Sequence, residues 1–98
     1  MAQFRVYRLP GGALALDLQS DVISLPTRVV APLVPVEPGL PAFTRLEPAF
    51  DIEGQRFAMH TGELAAVSAR LVEGEPVADL RGEDYAIRRA LDMLFSGF

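Results

Sequence analysis

The chain has 98 residues, half of them hydrophobic, with Lys+Arg 9 against Asp+Glu 13 and a formal net charge of -4. That suffices for one core and leaves no room for a second, so residues 1–98 are expected to form a single domain of a size often reinforced by dimerisation. The lack of cysteine excludes disulfides and thiolate metal sites, and the acidic balance leaves no broad footprint for nucleic acid.

All the basic residues are arginines, whose planar forks suit bidentate contacts to carboxylates. Arg5, Arg8 and the central prolines interrupt every apolar run, so no membrane span is expected. Met1 to Arg5 lacks a signal-peptide pattern, and the expected location is cytoplasmic.

The N-terminal half reads as strands. Phe4 and Val6 alternate with polar neighbours, Pro10-Gly11-Gly12 marks a turn, and Leu14, Leu16 and Leu18 then share one face with Ala15 and Asp17 on the other. Val22-Ile23 and Pro26 precede a β-branched run through Val29, Val30 and Val34. Pro32 and Pro35 within it predict an edge or bulged strand. Glu37 to Pro41 is a loop.

Ala49–Ile52 and Arg56–His60 flank Glu53-Gly54 and predict a second hairpin. Leu64 to Leu71 is ambiguous by periodicity and is read as a turn followed by a strand. The C-terminal stretch is the clearest helix, with Asp79 as its N-cap and Glu83 and Asp84 in its first turn. Ile87, Leu91, Leu94 and Phe95 form one stripe, and Ala86, Ala90 and Met93 a second, which is assigned to a homodimer interface.

Catalytic signals are thin. His60 stands alone, without a nucleophile and an orienting acid at a telling spacing, and is given a surface or structural role. Gly11-Gly12 lacks the strand–loop–helix and the Lys of a phosphate loop. Glu73, Glu75 and Asp79 sit among Gly and Pro in a solvated loop, so no metal or cofactor is expected. Phe95-Ser96-Gly97-Phe98 has two readings: a core residue with a tucked tail, or a projecting aromatic knob.

Several segments in order resemble the CcdB family, the toxin half of a toxin–antitoxin module. They are Gln3 to Tyr7, Asp17-Leu18-Gln19-Ser20-Asp21-Val22-Ile23, Pro32-Leu33, Ile52-Glu53-Gly54, Met59 with Thr61, Val77-Ala78-Asp79-Leu80, and Ile87, Ala90, Phe95 and Gly97. The resemblance implies a mainly β, SH3-like antiparallel barrel or sheet of the CcdB/MazF type with one C-terminal α-helix, acting as a homodimer. It implies binding to the A subunit of DNA gyrase, trapping of the enzyme with its DNA cut, and neutralisation and operon co-repression with a CcdA-like antitoxin.

The family's gyrase-facing positions fall on Val22, Ile23, Asp92, Phe95, Ser96, Gly97 and Phe98. Ile23, Phe95 and Gly97 keep the usual identity, whereas Ser96 stands where the family pattern has tryptophan. An antitoxin tail bearing arginine is expected at Leu9, Pro10, Gly11 and Gly12 and around Glu37–Leu46. Two other readings are a disarmed relative that binds only the antitoxin, and a MazF-like endoribonuclease. The negative charge and the Gln19–Ile23 stretch weigh against the latter.

Overall fold

A computed structural model describes residues 3–38 and 44–98. Its strands are β1 Arg5–Arg8, β2 Leu14–Asp17, β3 Thr27–Pro35, β4 Ala49–Ile52, β5 Gln55–Met59, β6 Ala65–Ser68 and β7 Ala78–Asp79, and one helix follows, α1 Asp84–Ser96. Single 3₁₀ turns occupy Thr61–Glu63, Ala69–Val72 and Arg81–Glu83. Pairing is antiparallel throughout, in the order β4-β5-β3-β2-β1-β7, with β6 also on β3. The result is a mostly β, nearly closed barrel-like sheet with one C-terminal helix, as expected.

Both hairpins form where their turn residues demand. Gly11 and Gly12 lie at φ 94 and 96, with Leu9 N–H donating to Ala13 O at 2.8 Å. Glu53 and Gly54, at φ 52 and 80, make the two-residue left-handed turn that suits strand twist, with Ile52 paired to Gln55. The segment from Leu64 to Leu71 holds β6 followed by a 3₁₀ turn.

The central strand departs from expectation. β3 is no edge strand: it pairs with β2 on one side and with both β6 and β5 on the other. Pro32 is tolerated because it falls at the fork. β6 leaves after Val30 and β5 joins at Leu33. The Pro32 carbonyl, facing that fork, accepts from His60 N–H at 2.9 Å, so the missing proline donor faces a gap in the ladder.

The core has two parts because the sheet is covered on both faces. Phe4, Val6, Leu14, Leu16, Leu18, Ala31, Leu33, Phe50, Ile52, Phe57 and Met59 pack with Leu80, Ile87 and Ala90 beneath α1. Tyr7, Ala15, Val30 and Val72 form a second cluster. Hence Ala15 and Asp17, alternating away from the leucines of β2, are buried as well.

The helix is entered differently from the sequence reading. Asp79 belongs to β7, and its Oδ1 accepts from Arg81 N–H at 3.0 Å across the preceding 3₁₀ turn. The position before α1 is Glu83, which makes no side-chain capping bond. The Arg81 side chain, then its backbone N–H, hold the Asp79 carboxyl down from 3.8 to about 2. A depressed carboxylate stabilises the fold above its unfolded pKa and loses that contribution as pH falls through its folded value. Carboxyl NMR titration should therefore find Asp79 still ionised at pH 3, and Arg81→Gln should move its midpoint part of the way back, the backbone donor remaining.

Candidate partner-docking surface

One cluster of candidate residues is held by a buried ion pair. Asp17, at the end of β2, is 0% exposed. Its Oδ2 accepts from Arg28 Nε at 3.0 Å, and its Oδ1 accepts from Gln19 N–H at 3.0 Å. The Arg28 Nη2 group donates to Gln19 O at 3.0 Å and to Asp21 Oδ1 at 3.2 Å. Burial works against the guanidinium's charge, but hydrogen bonds and charge from Asp17 and Asp21 outweigh it and raise its pKa above the ordinary value.

The loop beyond is pinned by several hydrogen bonds. Gln19 bridges it, Nε2 donating to Ile23 O at 3.0 Å and Oε1 accepting from Val29 N–H at 3.2 Å. Ser20 O accepts from Ile23 N–H at 3.1 Å, and Gln3 N–H reaches Asp21 Oδ1 at 3.1 Å. With inward directions occupied by polar partners, the apolar side chains point out: Val22 is 87% exposed and Ile23 47%, with Leu25 exposed beside them. Fixing such a loop in advance removes an ordering cost from any later association.

The second cluster is the end of α1. The core-facing stripe is Ile87 and Ala90, with Ala86 and Leu91 packed at its margin. Leu94 and Phe95 turn outward, contrary to the stripe read from sequence, and Phe95 is 72% exposed. Asp92 and Ser96 are also exposed. The helix continues through Ser96 and stops at Gly97, whose φ of 83 is the left-handed cap conformation, with its N–H donating to Met93 O at 3.0 Å. Phe98 follows, 78% exposed. Of the two readings of this tail, the structure has the projecting one.

The proposed dimer stripe does not survive intact. Ala90 is completely buried under its own helix and is not available to a second protomer. Its small side chain is what lets α1 lie close to the sheet. Ala86 and Met93 remain half-buried at the flanks. Among the described residues, no hydrogen bond or ion pair joins Val22 or Ile23 to Phe95–Phe98. The loop is tied instead to the chain leading into β1, where Arg88 of α1 stacks on the Phe4 ring at 5.1 Å.

At the opposite hairpin Leu9 is half-buried, and Pro10, Gly11 and Gly12 are exposed. Leu9 lines an apolar groove of about 180 Å³ with Ala15, Val30, Pro32 and Val67, edged by Glu63. Of the Glu37–Leu46 stretch, residues 39–43 lie outside the described residues. His60 is half-buried with its Nδ1 2.6 Å from Glu63 Oε2. Sequence reasoning missed the Asp17–Arg28 pair. Its only signal was an acid on an otherwise apolar strand, with a single arginine in the next one.

The family model described as CcdB protein matches residues 3–97, nearly the whole chain. The chain belongs to the CcdB family. CcdB proteins are the toxin partners of toxin–antitoxin modules, so the exposed loop and helix end belong to a toxin scaffold. Among solved structures, this CcdB-family chain is similar to the Mycobacterium tuberculosis toxin MazF-mt6, at 18% identity over 93% of each chain and a TM-score of 0.70. At that identity the likeness is one of fold.

Proposed function

We propose that this CcdB-family chain acts in the cytoplasm as a homodimer that binds the A subunit of DNA gyrase and holds the enzyme with its DNA cut. It acts by docking, without catalysis of its own. The observation that carries the reading is that four of the gyrase-facing positions implied by the family, Val22, Ile23, Phe95 and Phe98, are apolar and exposed on ordered elements. Val22 and Ile23 stand on the Asp17–Arg28 network, and Phe95 and Phe98 flank the Gly97 cap. Exposed aromatic anchors on rigid supports are what a partner interface needs at its centre.

A CcdA-like antitoxin neutralises it, laying an arginine-bearing tail along Leu9–Gly12 and the groove edged by Glu63, and joins it in co-repression of the operon. Sedimentation at micromolar concentration should give about twice the 10.7 kDa chain mass. A strictly monomeric species would remove the two-fold arrangement.

The direct test uses purified gyrase, supercoiled plasmid and ATP. The chain should accumulate linear DNA after detergent and protease treatment, and the antitoxin should reverse this. If gyrase turnover and cleavage are unaffected while the antitoxin still binds, the chain is a disarmed relative. The exposed Ser96 at the position of the family's tryptophan favours this second reading. Cleavage of RNA in a parallel assay would replace both.

A further inference from the structure

We propose that Arg45 and Arg89 form a receptor for a carboxylate side chain of a protein partner. The two arginines, with Thr44, Pro48 and Ala86, line a cavity of about 330 Å³ between the chain leading into β4 and the flank of α1. Among the described residues, no Asp or Glu lines it. This is unexpected in a chain with 13 acidic residues against 9 arginines. Arg5, Arg8, Arg28, Arg56, Arg81 and Arg88 each sit in an ion pair. Among the described residues Arg45, Arg70 and Arg89 are in none, and two of these three share one cavity.

The surroundings prepare the cavity for an anion. The Arg89 guanidinium lies 5.4 Å from the centroid of the Tyr85 ring, which covers one face and leaves the donor edge open. The Thr44 hydroxyl accepts from Glu47 N–H at 3.1 Å, so its proton is free to be donated. Pro48 and Ala86 supply apolar wall beside the two guanidiniums. Two like charges in one concavity repel, and an anion between them relieves that repulsion.

The occupant is a single carboxylate on a polypeptide, not a nucleic-acid backbone. A phosphate polymer would carry its charge past the cavity onto a surface whose net charge is -4. A lone Glu or Asp side chain meets only the two arginines, whose forks match its geometry. This receptor does not depend on the gyrase reading, because it specifies the chemistry of a contact and not its owner.

The test is an NMR titration of the ¹⁵N-labelled full chain with a tetraglutamate peptide. Saturable shifts should concentrate at the amides of Thr44, Arg45, Ala86 and Arg89 and at the Arg89 side-chain N–H. Arg45→Gln and Arg89→Gln should each weaken binding roughly tenfold, at unchanged melting temperature since both side chains are exposed. Arg70→Gln, unpaired but outside the cavity, should change nothing. Equal binding by wild type and both cavity variants would overturn the proposal. So would tighter binding at the same amides by inorganic phosphate or a single-stranded oligonucleotide, or cavity shifts that follow protein dilution and so report a second copy of the chain.

Discussion

Replacing Arg28 with alanine should destabilise the protein by about 3–5 kcal/mol, the usual consequence of stripping one partner from a buried ion pair. Asp17 keeps its bond from Gln19 N–H but, among the described residues, loses the only side-chain cation bonded to it at a fully buried position. At roughly 4–8 °C per kcal/mol for a domain of this size, the melting temperature should fall by well over 10 °C. The double variant Asp17→Ala/Arg28→Met should recover much of that loss, because no unpaired charge stays inside. Urea denaturation of the three proteins measures both effects. A single variant as stable as wild type would mean that the network is not structural. In the double variant, Val22 and Ile23 lose their brace without loss of the fold, so gyrase affinity should fall even where stability does not.

Deleting Ser96–Phe98 should abolish growth inhibition in a gyrase-sensitive host while leaving the fold intact. The buried helix residues Ile87 and Ala90 precede the cut, and the deletion removes only terminal hydrogen bonds, that from Gly97 N–H to Met93 O and the last one within the helix. Losing one aromatic anchor typically costs about 2 kcal/mol or more of binding, and a two-fold dimer loses it twice. Ser96→Trp should deepen toxicity, since the position is exposed on the last turn and the larger side chain displaces nothing. Induction of the DNA-damage response and colony counts after expression measure the outcome. Full toxicity of the truncated chain would exclude docking through the helix end. A harmless wild type with a toxic Ser96→Trp variant would locate the lost activity in that one side chain.

Both hairpins and the helix were legible in the sequence because glycines at positive φ and helical spacing are local signals. Long-range packing was not. The alternation in β2 gave the correct faces, but nothing local said that Ala15 would be buried with Tyr7, Val30 and Val72, or that Asp17 would be closed over by Arg28. The prolines of β3 were read by their local rule, and only the pairing of β5 and β6 on one side of that strand shows where a missing donor does no harm. Ala90 looked like part of a small-residue stripe for a partner, whereas its size serves close approach to its own sheet. The candidate loop came from family resemblance. Its mechanical basis, one arginine reaching two aspartates, depends on a fold that brings residue 28 over residues 17 and 21.

The fork at Pro32 also bears on how the molecule comes apart. β3 is the shared partner of β2, β5 and β6, so its detachment divides the sheet into β7-β1-β2, β4-β5 and an unpaired β6. The end strands can peel away singly, but opening of the centre separates the whole sheet at once and is a single global event. Amide protons of Ala31 and Leu33 should exchange only through complete unfolding, whereas those of β7, paired over two residues at the far end of the sheet, escape by local opening.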